Sequence, residues 1–247
     1  MSIGSDREFE KLREVGRIVA QTLRKVAAAV RSGVTTAELD EIGEKEMARH
    51  GARSAPRLVY QFPGGLCISV NDEAIHGIPG SRVLQPGDLV KLDATAEKDG
   101  FYADAAITVQ VEPVSQTGTA LARCAERAFH KGLEVAKPGN RAFHIGRAIE
   151  REVRREGYGI LRELSGHGVG RSIHEDPTIP NYYEPRAKAR LTEGLVVTIE
   201  PIISAGSGKC FVAKDGWTVK TEDKTLAAHF EHTIVITKGA PILLTAA

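Results

Sequence analysis

The stretch LTEGLVVTIE, residues 191–200, lies position by position on LQPGDLVKLD, residues 84–93. Leucine meets leucine, glycine meets glycine, apolar residues share places, and each stretch ends on an acid, Glu200 on Asp93. Further out, Gly33 and Gly51 stand eighteen residues apart, and so do Gly139 and Gly157. Between them Leu39 matches Ile145, Glu44 matches Glu150, Glu46 matches Glu152 and Arg49 matches Arg155. The order helix, helix, strands therefore occurs twice. A duplicated α+β unit predicts a central antiparallel sheet covered by helices, with a pseudo-twofold axis near which equivalent acids converge. A cation could be shared at that place.

Local signals agree with this order. Ser5 with Glu8 reads as a capping box ahead of Phe9, Leu12, Val15, Val19, Leu23, Val26 and Val30 at helical spacing. Thr35 with Glu38 opens a second helix that ends at Gly51. A third is expected from about Thr119 to Ala136, and a fourth after Asn140 as far as Gly157. The runs LCISV, DLVKLDAT, FYADAAITVQV, GLVVTIEPII, KCFVAKDGWTVKT and HFEHTIVIT read as strands.

Composition narrows the function. In 247 residues, 33 basic side chains oppose 32 acidic ones, which leaves a formal net charge of +1. No basic field favours nucleic acid or an anionic membrane. The apolar runs are strand-length, far short of a membrane span. The N-terminal MSIGSDREFEKLREVG has no apolar signal-peptide core, so a cytoplasmic location is expected. Cys67, Cys124 and Cys210 form no CxxC pair, which argues against a disulfide framework or a cysteine zinc site. SAGSGK (204–209) fails as a phosphate loop, because Cys210 follows Lys209 where Ser or Thr is needed.

The acids carry more information. In KLDATAEKDGFYADAAITVQV, Asp99-Gly100 is a strong two-residue hairpin signal. With that pair in the turn, Lys98 faces Phe101 and Thr95 faces Asp104. Asp93 then shares a face with Asp104, diagonally about 7–8 Å away between backbones, and a one-residue slip would separate them. No Lys or Arg is expected to neutralise them on that face. Glu200 ends LVVTIE, and Glu231 lies in the apolar, β-branched HFEHTIVIT. Buried carboxylates repel and desolvate unless they meet positive charge. With an imidazole from His167 in GHGVGRSIHEDP (166–177), the set is oxygen-rich. It suits a pair of divalent ions such as Co, Mn, Fe or Zn.

These residues resemble the type I methionine aminopeptidases, metalloproteases of the pita-bread fold. The resemblance spans nearly the whole chain in five ordered motifs: SVNDEAIHGIPG (69–80), GDLVKLDATAEKDGFYAD (87–104), GHGVGRSIHEDPTIPNY (166–182), GLVVTIEPI (194–202) and DGWTVKTEDKTLAAHFEHTIVIT (215–237). It implies a single catalytic domain over residues 1–247, with related halves at roughly 5–112 and 115–238. It implies Asp93, Asp104, His167, Glu200 and Glu231 as ligands of two divalent ions, Asp104 and Glu231 bridging, with the metal's identity open. Glu200 is implied as proton acceptor as well. His76 and His174 match two histidines that are not ligands and that hydrogen-bond the substrate peptide. A metal-bridging hydroxide is expected to attack the first peptide carbonyl. Phe62, Cys67 and Trp217 match positions that line the methionine pocket. Val59 and Pro56 replace residues often aromatic or cysteine in bacterial relatives, and Ile173 stands where a phenylalanine is familiar.

The implied activity is removal of the initiator methionine from nascent polypeptide N-termini, preferably before a small second residue. Implied with it are a monomeric, short bacterial form and transient ribosome association. Two rivals stand beside this reading. One is a related pita-bread aminopeptidase with another N-terminal preference, and the other is a pita-bread binding module without activity, which would typically lack metal ligands.

Overall fold

Helix α1 (Asp6–Ala29) begins where the Ser5 side chain accepts a hydrogen bond from the Glu8 N–H, and it buries Leu12, Val15, Val19, Leu23 and Val26. The expected capping box is half formed, because the Glu8 carboxylate reaches back to the Gly4 N–H instead of that of Ser5. In α2 (Thr36–Arg49) the box is complete between Thr35 and Glu38. A short α3 (Ala55–Tyr60) is capped by Ser54, with Pro56 in its first turn. Helix α4 (Gln116–Glu134) is capped by Ser115, and α5 (Ala142–Arg155) follows. The structure, a computed structural model, describes residues 1–246. Among these, no helix is long and apolar enough to cross a membrane.

Nine strands position the site: β1 (Cys67–Val70), β2 (Leu89–Lys98), β3 (Phe101–Gln110), β4 (Ser165–Gly168), β5 (Glu175–Pro180), β6 (Val196–Ile199), β7 (Ile202–Ser204), β8 (Ala227–His229) and β9 (Glu231–Val235). The main sheet is antiparallel and runs β2-β3-β9-β6-β4-β5, with β1 also paired to β2. Asp99 and Gly100 both take positive φ, 52° and 81°, as a two-residue primed turn requires. The register is the expected one, Lys98 opposite Phe101 and Thr95 opposite Asp104.

One face of this sheet is covered by helices. Alternation sends Val90, Leu92, Ala94, Ala103 and Ala105 into a core with α1 and α2. On the other half, Val197, Ile199 and Ile234 enter a core with α4 and α5. The turns entering the two helix pairs repeat the same bonds. Gly33 N–H donates to Leu84 and Gly139 N–H to Leu191, while Leu84 N–H donates to Val34 and Leu191 N–H to Asn140. Gly33 and Gly139 sit at φ 89° and 90°, a conformation that a Cβ would strain.

The expected single sheet needs one correction. GLVVTIEPII and HFEHTIVIT each split into two strands, and their outer pieces leave the main sheet. Strand β7 pairs with β8 on one side and with Gly159–Ile160 on the other in a separate three-stranded sheet. Pro201 has no N–H to continue the ladder, and the Phe230 N–H donates to its carbonyl, so both chains bend at one level. KCFVAKDGWTVKT likewise forms strands Cys210–Val212 and Val219–Thr221 of a second small sheet with Glu73–Ile75.

Strands β3 and β9 are also joined through a side chain. Thr233 Oγ1 accepts from the Asp104 N–H at 2.9 Å and donates to the Asp104 carbonyl at 2.8 Å. Thr233→Val would leave both backbone groups buried without partners, at roughly 1–3 kcal/mol each. Urea denaturation of this variant should show a loss of about 2 kcal/mol or more, and a midpoint unchanged from wild type would rule out the role of this bridge.

Candidate metal centre

Five neighbouring strands each direct one polar side chain to the face away from the helices. They are Asp93 on β2, Asp104 on β3, Glu231 on β9, Glu200 immediately after β6, and His167 on β4. The pairings Ile199–His232 and Ile202–His229 keep one register across the bend, which sets Glu200 opposite Glu231. The hairpin register brings Asp93 beside Asp104, close enough for a side-chain hydrogen bond. Donor atoms of Asp104, His167 and Glu231 all lie within 4.8 Å of one another. His167 Nε2 is 3.7 Å from Glu200 Oε1. The structure therefore gathers all five residues singled out in the sequence.

The four carboxylates are buried, and their protonation shows the cost. Burial raises Asp93 and Glu200 well above the ordinary carboxylate range, and repulsion from Asp104 adds to it. Glu231 is raised by burial and by the three other acids, and Asp104 is raised by burial. Asp104 Oδ1 and Glu231 Oε1 have no hydrogen-bond partner. The one buried cation on this face, Lys91, corrects the expectation of none. It lies two residues before Asp93, but its ammonium donates to the carbonyls of Asn71 and Leu89, and burial pushes it down to about 7. It does not neutralise the cluster.

His167 is oriented to offer a lone pair. Its backbone N–H donates to Thr198 Oγ1, and its Nδ1 lies 2.9 Å from the Gly168 carbonyl. With Nδ1–H donating there, Nε2 faces the acids as an acceptor. Buried, mutually repelling carboxylate oxygens with unpartnered atoms and one aimed imidazole fit divalent cations. The residues that could hold them are Asp93, Asp104, His167, Glu200 and Glu231.

The cluster forms the floor of a cavity of about 830 Å³. Phe62, Cys67, Ile173 and Trp217 line it, with Pro56, Ile75, His76 and His174. Phe62 meets the Trp217 ring edge to face, centroids 5.3 Å apart. The Cys67 thiol is held protonated by burial and by the neighbouring Asp93, so it acts as apolar wall instead of thiolate ligand. On the short α3, Pro56 and Tyr60 are four apart, share a face and line the cavity, whereas Val59 does not line it. The sequence reading missed Tyr60, whose hydroxyl lies 2.6 Å from His174 Nδ1.

Both non-cluster histidines are neutral at pH 7. Burial, then the His174 charge, lowers His76 to about 4. Burial and His167 lower His174. His76 holds a left-handed backbone at φ 57°, which aims it into the cavity from the end of the Glu73–Ile75 strand.

Comparison with known proteins places this geometry. Residues 10–238 match the model of metallopeptidase family M24. The chain is 47% identical to methionine aminopeptidase 2 of Bacillus subtilis, over 99% of each chain. It superposes on methionine aminopeptidase from Rickettsia prowazekii with a TM-score of 0.95 at 38% identity, covering 99% of this chain and 100% of that one. For methionine aminopeptidase from Thermotoga maritima the TM-score is 0.96 at 35% identity, with both chains fully covered.

A carboxyl raised in the folded state binds its proton more tightly folded than unfolded. The metal-free protein is therefore favoured below the ordinary carboxylate range and loses stability as pH rises through the raised values. A cation that displaces those protons reverses the trend. Adding Mn2+ to chelator-treated protein should thus release protons. It should also raise the melting temperature more at about pH 8 than at about pH 6. A gain independent of pH, read by calorimetry, would contradict this account.

Proposed function

The chain belongs to metallopeptidase family M24, and from that premise we infer that it is a methionyl aminopeptidase, removing the initiator methionine from nascent proteins, preferably when the second residue is small. One observation carries this reading: the buried acid and imidazole cluster lies at the end of a cavity walled by Phe62, Cys67, Ile173 and Trp217. Such a wall suits an unbranched thioether side chain.

Asp93, Asp104, His167, Glu200 and Glu231 would hold two divalent ions, with Asp104 and Glu231, on adjacent middle strands, shared between them. When bound, such a pair supplies Lewis acidity and lowers the pKa of a coordinated water. Glu200, adjoining both His167 and the cavity, receives the proton from the attacking water. Tyr60 donates to His174 Nδ1, which leaves the ring proton on Nε2 to hydrogen-bond the scissile peptide. Neutral His76 binds the substrate peptide from the facing wall.

The same reading makes residues 1–247 one catalytic domain of two related halves, at roughly 5–112 and 115–238. The equivalent turn bonds at Gly33 and Gly139 support that division. All five residues come from one chain, so a monomer would suffice for the activity. The enzyme would act in the cytoplasm on chains emerging from the ribosome, in transient contact with it.

A panel of Met-X peptides, with X graded in size and Mn, Fe, Co or Zn added, tests the activity. Release of methionine confined to small X is expected. Release of other residues, or none with any metal, would count against the assignment. In the same assay His174→Ala should lower kcat about 10²–10³-fold with bound metal unchanged. A variant as active as wild type would remove His174 from the reaction.

A further inference from the structure

One more titratable side chain reaches the same centre. His229 ends β8 two residues before Glu231, across the bend at Phe230, and its ring meets the cluster. Its Nε2 lies 3.5 Å from Glu231 Oε2 and 3.8 Å from Glu200 Oε2. The ring is fully buried, and neither of its nitrogens has a hydrogen-bond partner. Donor atoms of Glu200, His229 and Glu231 lie within 4.8 Å of one another, a second grouping that shares Glu231 with that of Asp104, His167 and Glu231.

The half-buried histidines nearby behave differently. His232 Nδ1 pairs with Thr245 Oγ1 at 2.8 Å, and His167 Nδ1 pairs with the Gly168 carbonyl at 2.9 Å. A histidine kept only for packing would be expected to satisfy at least one nitrogen, since an orphaned buried polar atom costs roughly 1–3 kcal/mol. The His229 ring nitrogens are left over beside Glu231, whose Oε1 also lacks a partner, and beside Glu200, whose Oε1 accepts from Thr198 Oγ1. Ligands held about 2.0–2.2 Å from a common ion lie roughly 3–4 Å from one another. The distances from His229 Nε2 to the two acids fall in that range.

We propose that His229 is a sixth metal ligand, which would add a second imidazole to the centre beside Glu200 and Glu231. The proposal rests on the metallopeptidase reading above and extends its ligand set. An added nitrogen donor favours Co, Zn and other later divalent metals over Mn. Such a donor would tune the centre of this chain away from a set of four carboxylates and one imidazole.

The test uses the full chain, stripped of metal and reloaded with two equivalents of Co2+. Proton NMR in water then counts hyperfine-shifted, exchangeable imidazole N–H signals. Two are expected in wild type and one in His229→Gln, with Co2+ affinity at the weakened site lowered about tenfold and Mn2+ affinity changed less. A single signal in wild type overturns the proposal while leaving the metallopeptidase reading in place. Failure to retain any cobalt would defeat both. The wild-type count decides the matter alone if the variant does not fold.

Discussion

Four carboxylates enclosed by a folded chain, with no ammonium or guanidinium among them, impose the central constraint on this protein. Their mutual repulsion and lost hydration cannot be relieved from within the sheet. Lys91, the obvious candidate, spends its ammonium on two backbone carbonyls. The fold tolerates the arrangement only if protons or metal ions occupy the space between the acids. Binding a cation there means displacing the protons that otherwise hold the acids together.

Strand pairing does the positioning. Each of five adjacent strands contributes one side chain, and period-two alternation sends the neighbouring residues into the helix-covered cores. Each of the five side chains is thus anchored by a backbone ladder below it and an apolar layer behind it. The Thr233 bridge to Asp104 and the Thr198 bond to the His167 N–H add fastening where the strands are short. Preorganisation of this kind keeps donors in place before any ligand arrives.

Much of this was legible in the letters. The Asp99-Gly100 turn determined the hairpin register, and the register put Asp93 beside Asp104. The match of residues 84–93 with 191–200 pointed to Glu200. What escaped the reading depended on tertiary context. Pro201 and Phe230 divide two apparently continuous strands, because a missing N–H matters only once the partner chain is known. Tyr60 and Val59 are neighbours in sequence, and only the length and tilt of α3 decide which one enters the cavity. His229 was visible as the residue two before Glu231, but its significance lies in two ring nitrogens without partners, which no sequence pattern reports.

The shared bend at Pro201 and Phe230 has a mechanical consequence. Glu200 and Glu231 stand at the seam where paired strands pass from the main sheet into its satellite. Whatever ties those two side chains together also clamps one layer to the other. An ion held by both would act as a rivet through the joint, and removing it would let the two sheets flex against each other about that line.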